Sequence, residues 1–305
     1  MCCLFGFVDY AGALRVNQKS HLIRELSIAA EVRGTDATGI AYNTSRGLQI
    51  YKRPLVAHRL HLRIPAETHV VLGHTRMATQ GSAKKNYNNH PFFGHVKGES
   101  FALAHNGTIW NDLELRRTKH LPRTKVQTDS YIAVQLIERQ NALNLSSLKC
   151  MAEQVEGSFS FSVLSERDDL YLIKGDNPLT IAYFPKVGVY VYASTAEILN
   201  KALARCGNWL GRGEKVDIAM GDIVKIDRNG HITRDTFDAS KFYRSSWGYW
   251  DTPLYPRLPH SEEEHLALLK SVAKSFGFTS KMIDRLLDQG FTTMEIEELL
   301  YDGGC

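Results

Sequence analysis

The sequence lacks both a strong excess of charge and any long hydrophobic run. Its 305 residues include 37 Lys and Arg against 33 Asp and Glu, which gives a formal net charge of only +4. We identify no dense Lys/Arg run with that charge, so no nucleic-acid or membrane-surface patch is predicted. No apolar stretch approaches the roughly 18–20 residues that span a bilayer. We therefore predict a globular protein that binds neither nucleic acid nor membrane.

Cysteine is scarce and scattered. The five cysteines form an odd set without the spacing of metal ligands: Cys2, Cys3, Cys150, Cys206 and Cys305. The first residues lack the basic leader, apolar run and cleavage site of a secretory signal. These features together predict reduced thiols, a cytoplasmic location, and no metal or cofactor. A Gly-rich phosphate loop is also missing, because Gly211-Arg212-Gly213 has neither the spacing nor the context.

Strand patterns and helix patterns come in separate blocks along the chain. Apart from a helix over 17–32, strand patterns dominate residues 4–105 and again 158–227. Two helices are predicted between about 129 and 155, the first of them amphipathic, and Thr195 is expected to cap a short helix that ends near Ala204. Asn106-Gly107 is a turn signal that we expect to end a strand. Helices flanked on both sides by strand-rich blocks predict an α+β layered fold rather than a doubly wound one.

The composition changes near residue 238. We predict a main domain over 2–237 and an aromatic and Pro-rich linker over 238–260. Helix-capping residues then predict three short amphipathic helices in a C-terminal extension, 261–305. They are expected from 261 to about 276, from a cap at Thr279 or Ser280 to 290, and from 292 to about 302. This extension is interpreted either as a structural appendage or as a module that docks a partner, and the sequence favours neither reading.

The N-terminal Met1-Cys2 pair has a chemical reading. Removal of Met1 would leave Cys2 with a free α-amine beside its thiol. Because an α-amine has a pKa of about 7.7–8.0 and a thiol one of about 8.5, the amine can accept the thiol proton near neutral pH. Taken alone, Cys2 is equally an ordinary small residue at the start of a strand.

Several separated stretches decide between these readings. Together, in this order and at these spacings, they resemble one family, the class II or N-terminal-nucleophile glutamine amidotransferases, and come closest to the glutaminase half of glucosamine-6-phosphate synthase. The stretches that carry the resemblance are Cys2 with Leu4-Phe5-Gly6, residues 33–41, residues 73–79, Asn89-His90-Pro91-Phe92, residues 104–111, and Thr128-Asp129-Ser130.

The resemblance covers roughly residues 2–230 and implies a four-layer αββα fold with a small C-terminal helical extension. It implies an enzyme that hydrolyses L-glutamine to L-glutamate and ammonia through a γ-glutamyl thioester on Cys2. We recognise no acceptor-domain signature after residue 230, so we expect the ammonia to pass to an acceptor synthase in trans, with the extension as the docking candidate. The oligomeric state stays open, a homo-oligomer included.

The resemblance also implies roles for individual residues. Cys2 is the expected nucleophile, and the Asn106 side chain with the Gly107 backbone N–H is the expected oxyanion hole. Arg76 is expected to bind the substrate α-carboxylate, since a guanidinium can bond a carboxylate bidentately. Asp129 is the expected partner of the α-ammonium group.

Four further residues are expected to line or support this site. Met77 and Thr79 are expected to line the pocket, and Arg33 and Asp36 to hold the nucleophile's surroundings together. His74, His90 and His105 are not spaced as a metal site and are expected to be structural.

Each motif also has a structural alternative. Arg76 is compatible with a surface ion pair, and Asp129 with the N-cap of the helix that follows it. Asn106-Gly107 is compatible with a plain hairpin turn. A rival for the whole chain is a non-catalytic glutamine-binding or regulatory protein that keeps the fold, which a retained Met1 would favour.

The sequence departs from the family pattern at three places. Cys3 stands where glycine is usual, so its side chain is expected to crowd the start of the chain or to form a regulatory disulfide with an exposed partner. Met77 replaces an aromatic residue, and Gln80 replaces a histidine common in the sugar-phosphate synthases.

Overall fold

Two compact units make up the chain, Met1–Phe242 and Tyr243–Cys305. The structure is a computed structural model, and it describes residues 2–240, 242, 266, 270, 279–289 and 296. Most of the predicted linker and of the helices predicted over 261–276 and 292–302 therefore lie outside the described residues.

Seven antiparallel strands form the first sheet of the first unit. The sheet order is β11-β9-β10-β1-β4-β2-β3, so β1 lies at its centre with β10 and β4 as neighbours. The strands are β1 Cys3–Asp9, β2 Ala37–Thr44, β3 Gly47–Arg53, β4 Val70–Arg76, β9 Thr180–Phe184, β10 Val189–Ala193 and β11 Glu214–Val216.

Six antiparallel strands form the second sheet, in the order β13-β12-β8-β7-β6-β5. They are β5 Phe92–Val96, β6 Glu99–Ile109, β7 Gly157–Ser165, β8 Leu170–Lys174, β12 Asp222–Ile226 and β13 Ile232–Thr236. The helices of this unit are α1 Val16–Ala29, α2 Asp112–Thr118, α3 Tyr131–Gln140, α4 Leu145–Gln154 and α5 Ala196–Cys206.

The packing of the layers follows from the two-residue period of the strands. In β1, Leu4 and Val8 pack between the two sheets, whereas Phe5 and Phe7 pack on the opposite face against α1 and α5. The outer face of the second sheet packs in the same way against α3 and α4. The order helix, sheet, sheet, helix is the predicted αββα sandwich, and the α+β prediction is confirmed.

The predicted turn at Asn106-Gly107 is wrong. Both residues lie inside β6, where Asn106 pairs with Ser160 and Gly107 with Phe159 of β7. The sheet overrides the local turn signal because β7 pairs with β6 from Phe101 to Ile109. Gly107 keeps a φ of +143°, a conformation that glycine adopts without strain.

A buried ion pair fixes the end of the central strand to the first helix. Lys19 Nζ lies 3.3 Å from Asp9 Oδ2, and both side chains are almost fully buried. The ammonium also donates to the carbonyls of Ala66 and Thr68, at 3.0 and 2.7 Å. The carboxylate accepts in addition from the backbone N–H groups at positions 13 and 14. These bonds offset the cost of burying both charges.

The second unit contains helix α6, Ser280–Asp288, preceded by Thr279 at its N-cap position. Thr279 is one of the two residues predicted to cap this helix. Ile283 of α6 is buried together with Ile296. Among the described residues of both units, we find no helix with the length and apolar character to cross a membrane.

Candidate active site

The candidate nucleophile lies at the start of the central strand. Cys2 directly precedes β1, whose register pairs Cys3 with Thr75 and so brings Cys2 to the end of β4. There its thiol Sγ lies 3.5 Å from the carbonyl oxygen of Met77 and contacts it as a weak hydrogen-bond donor. The two ladders on either side of β1 therefore determine where the thiol lies.

Residues from the loop before β2 hold this corner together. Arg33 Nε donates to the carbonyl of Cys2 at 3.0 Å. Asp36 Oδ2 accepts from the backbone N–H of Ala78 at 2.7 Å, and the Asp36 N–H donates to the carbonyl of Arg76. Arg33 thus fixes the backbone of Cys2, while Asp36 fixes the segment that follows β4.

The electrostatic surroundings of the Cys2 thiol are mixed. Burial raises the pKa of Cys2 because a thiolate loses hydration there. The positive charge of Arg76 lowers this pKa and the negative charge of Asp129 raises it, so both groups act on the thiol. A thiol whose pKa is raised by burial needs a proton acceptor nearby before it can attack.

The guanidinium of Arg76 is buried, with only 3% of the residue exposed. Nη1 donates to Asn89 Oδ1 at 2.7 Å, and Nη2 donates to the carbonyls of Gln80 and Gly81 at 2.5 and 2.8 Å. Burial lowers the pKa of Arg76, while attraction to Cys2, Asp36 and Asp129 opposes that shift. The alternative reading of Arg76 as a surface ion-pair residue is therefore wrong.

Asp129 is a buried residue that is held at its carboxylate and at its main-chain N–H. Its Oδ2 accepts from the backbone N–H of Ile109 in β6 at 2.6 Å, and its own N–H donates to Gln80 Oε1 at 2.9 Å. The N-cap residue of α3 is Ser130, one position later. The Asp129 carboxylate therefore bonds a strand of the second sheet and does not cap α3.

The candidate oxyanion hole lies on β6, facing the gap between the sheets. Asn106 is buried, and its Nδ2 donates to Ser194 Oγ at 3.4 Å. Ser194 Oγ also accepts from the N–H of Leu4, two residues after Cys2, at 2.9 Å. A Cβ atom at Gly107 would lie 1.8 Å from the carbonyl oxygen of Ser158, so only glycine fits there.

The two predicted pocket-lining residues lie on the exposed loop after β4. Met77 is 45% exposed and Thr79 is also exposed. Met77 reaches Cys2 through its backbone carbonyl. The structure thus brings Cys2, Arg33, Asp36, Arg76, Met77 and Asp129 into one connected region, and Ser194 links Asn106 to the start of the same strand.

Comparison with known proteins finds relatives of this chain. A family profile described as a glutamine amidotransferase domain matches residues 74–201. Glutamine–fructose-6-phosphate aminotransferase (isomerizing) from Sulfurisphaera tokodaii is 32% identical over 195 residues, 59% of this chain and 31% of that protein. The protein of the same name from Halalkalibacterium halodurans is 30% identical over 64% of this chain and 32% of its own length.

Residues 74–201 thus match a glutamine amidotransferase domain, and the chain is similar to class II glutamine amidotransferases. The predicted resemblance is thereby confirmed. The chain spans about a third of the length of these curated relatives.

Solved structures agree with the amidotransferase fold. The structure titled allosteric regulatory enzyme of purine biosynthesis superposes with a TM-score of 0.61 at 19% identity, covering 78% of this chain and 49% of that one. Glutamine phosphoribosylpyrophosphate amidotransferase from B. subtilis, complexed with ADP and GMP, gives a TM-score of 0.59 with the same identity and coverage. At this identity the likeness supports the fold alone.

The side chain of Cys3 does not lie where the sequence analysis expected it. Its side chain is fully buried on the helix-facing side of β1, with Phe5 and Phe7. Burial raises its pKa to about 11. The expected crowding at the start of the chain is therefore wrong, because the side chain points away from the Cys2 side of the sheet. A disulfide with an exposed partner would require this strand to open.

The amidotransferase domain buries three histidines next to the candidate site. The ring of His90 lies 4.2 Å from that of His74 and 6.5 Å from that of His105, centroid to centroid. His74 Nε2 contacts the carbonyl of His105 at 3.0 Å, and His105 Nδ1 contacts Ser130 Oγ at 2.8 Å. Among the described residues, neither ring nitrogen of His90 has a hydrogen-bond partner.

Burial disfavours the charged form of all three histidines. Burial lowers the pKa of His74 to about 3, and burial also lowers the pKa values of His90 and His105. The nearby Lys52 has its pKa lowered to about 8, first by burial and then by Arg76, and its Nζ donates to the carbonyls of Asn89 and Pro91. Within the described part of the chain, no group of His, Cys, Asp or Glu is placed to hold a metal ion.

Sequence reasoning missed three residues of this region. Ser194 gave no signal because it lies 190 positions from Leu4, its backbone partner. Asn89 stood in a matching motif, but its contact with Arg76 was not foreseen. Gln80 was noted only as a departure from the family, although it contacts both Arg76 and Asp129.

Proposed function

We propose that this chain hydrolyses L-glutamine to L-glutamate and ammonia, with Cys2 as the nucleophile. The observation that carries the proposal is the position of the Cys2 thiol. Its Sγ contacts the carbonyl of Met77, and the charges of Arg76 and Asp129 both act on its pKa. A cation and an anion flanking one nucleophile match the α-carboxylate and α-ammonium groups of a free amino acid. The similarity to glutamine amidotransferases supports the same reaction.

The first half-reaction forms a thioester. After removal of Met1, the α-amine of Cys2 takes the thiol proton, and the sulfur attacks the carboxamide carbon of glutamine. The negative oxygen that develops accepts hydrogen bonds from the Asn106 amide and the Gly107 N–H. One such donor is worth about 2.7–4 kcal/mol in other enzymes. The C–N bond then breaks, and the leaving nitrogen takes the proton from the α-amine, so that ammonia forms.

The second half-reaction restores the thiol. A water molecule gives a proton to the α-amine and attacks the thioester carbon. The C–S bond breaks, L-glutamate leaves, and the sulfur regains its proton. Arg76 and Asp129 anchor the substrate in both halves through its α-carboxylate and its α-ammonium group. Arg33 and Asp36 act on the substrate only through Cys2 and the loop after β4.

We propose further that an acceptor synthase in trans receives the ammonia. The names of the curated relatives describe transfer from glutamine to fructose 6-phosphate, and those proteins are about three times as long as the region they share with this chain. The extension over 261–305 is our candidate for docking the synthase. A chain shortened after residue 260 should keep glutamine hydrolysis and lose ammonia transfer. Unchanged transfer by the shortened chain would contradict this docking role.

The decisive experiment is the intact mass of the purified protein before and after treatment with a diazo-ketone analogue of glutamine. We expect loss of Met1 and one adduct on Cys2, abolished by Cys2→Ala and retained by the control Cys150→Ala. Release of glutamate from glutamine should follow the same pattern. Retained Met1 without an adduct would contradict the proposal and would favour the non-catalytic glutamine-binding alternative.

A further inference from the structure

Gln80 makes two hydrogen bonds, one to each of the proposed substrate anchors. Its main-chain carbonyl accepts from Arg76 Nη2 at 2.5 Å. Its side-chain Oε1 accepts from the main-chain N–H of Asp129 at 2.9 Å, across 49 positions of sequence. One residue therefore joins the guanidinium expected to bind the α-carboxylate to the carboxylate expected to bind the α-ammonium.

The side-chain bond acts on the orientation of Asp129. The Asp129 carboxylate is fixed on one side by the N–H of Ile109, at 2.6 Å from Oδ2. Gln80 Oε1 fixes the other side, because it holds the main-chain N–H from which the aspartate side chain projects. The two bonds span from the loop after β4 to the strand that carries Gly107.

A second link joins the same two loops. Asn88 Oδ1 accepts from the N–H of Gln127 at 2.9 Å, and Asn88 Nδ2 donates to Gln127 Oε1 at 3.2 Å. These bonds tie the loops together without Gln80. Removal of the Gln80 amide should therefore leave the loops in place and release only the N–H of Asp129.

We propose that Gln80 is a positioning residue that determines how strictly the site requires an α-amino group on its substrate. This inference rests on the proposed glutaminase function. The main-chain bond to Arg76 is kept in any side-chain variant of residue 80, so binding of the substrate α-carboxylate is unchanged. The side-chain bond to Asp129 is lost when the Gln80 amide is removed, so binding of the substrate α-ammonium group weakens.

The test compares two amide substrates that differ only in the α-amino group: L-glutamine and glutaramate, which lacks it. The variant Gln80→Met keeps the length of the side chain and removes the acceptor oxygen. Gln80→Glu keeps an acceptor oxygen and serves as the conservative rescue. Ser82→Ala, an exposed position in the same loop, is the matched control.

For Gln80→Met we expect kcat/KM on L-glutamine to fall about fivefold, mainly through KM, which corresponds to one hydrogen bond of about 1 kcal/mol. On glutaramate the fall should be less than twofold. Gln80→Glu and Ser82→Ala should keep the wild-type ratio between the two substrates to within twofold.

An equal fall on both substrates, or no fall on either, would overturn the role of Gln80 while leaving the glutaminase proposal intact. A wild-type protein that releases no glutamate from glutamine would overturn the proposed function, and this inference with it. The two failures are thus separated by the wild-type measurement.

Discussion

Replacing His90 by phenylalanine should make the fold less sensitive to acid. His90 is buried between the rings of His74 and Phe92, at centroid distances of 4.2 and 4.4 Å. Burial holds its pKa well below 6.5 in the folded protein. The unfolded chain therefore binds a proton at this position below about pH 6.5, whereas the folded chain does not.

The sign and size of the effect follow from that difference. Since the folded pKa is lowered, His90 leaves the free energy of unfolding unchanged above pH 6.5 and decreases it as the pH falls below that value. With an unfolded pKa of about 6.5, one such histidine costs about 2 kcal/mol of unfolding free energy at pH 5.0. The pKa of His74, which burial lowers to about 3, gives a cost of the same size at pH 5.0, and the lowered pKa of His105 acts in the same direction.

Urea unfolding at pH 7.5, 6.0 and 5.0 measures this directly. Between pH 7.5 and 5.0, His90→Phe should lose about 2 kcal/mol less unfolding free energy than the wild type. At pH 7.5 it should be no less stable, because its ring nitrogens have no partner among the described residues. The exposed control His61→Phe should keep the wild-type pH dependence. Parallel curves for His90→Phe and the wild type would refute the reasoning.

Three further outcomes test the packing. Lys19→Met should lower the unfolding free energy in urea by about 3–5 kcal/mol, since it leaves the buried Asp9 carboxylate without its cation; a loss below 1 kcal/mol would contradict this. Gly107→Ala should lower the melting temperature and abolish glutaminase activity, because its Cβ meets the Ser158 carbonyl at 1.8 Å; unchanged melting would refute the close contact. The Cys3 thiol should resist iodoacetamide until urea is added, and labelling of the native protein, seen by peptide mass, would argue against its burial.

The parts of the fold that local pattern determines were predictable from the sequence. The buried run at the start of the chain predicts β1, and Thr195 was expected to cap α5; its hydroxyl accepts from the N–H of Ile198 at 3.2 Å. Such signals depend on residues a few positions apart, so the sequence displays them directly. The layered α+β prediction rests on the same signals.

Other features depend on partners far away in sequence. The Asn106-Gly107 pair is a turn by its local chemistry, yet β7 holds it within a strand. The strand β5 follows Pro91 and contains Gly94, so its sequence shows no continuous strand pattern. At the site, residue types and order predicted the candidate residues, whereas the roles of Ser194 and Gln80 as connectors emerge only when distant segments meet.

The position of the candidate nucleophile has a consequence for biosynthesis. Cys2 is synthesised well before Ser194, whose hydroxyl accepts a hydrogen bond from the N–H of Leu4 across 190 positions. At typical synthesis rates of about 5–20 residues per second, roughly 10–40 s separate the two on the ribosome. Throughout that interval β1 lacks its neighbour β10, so the corner of the sheet that holds Cys2 is incomplete. The surroundings of the candidate nucleophile are therefore complete only after Ser194 has been made, and a nascent chain that ends before Ser194 carries Cys2 without the site around it.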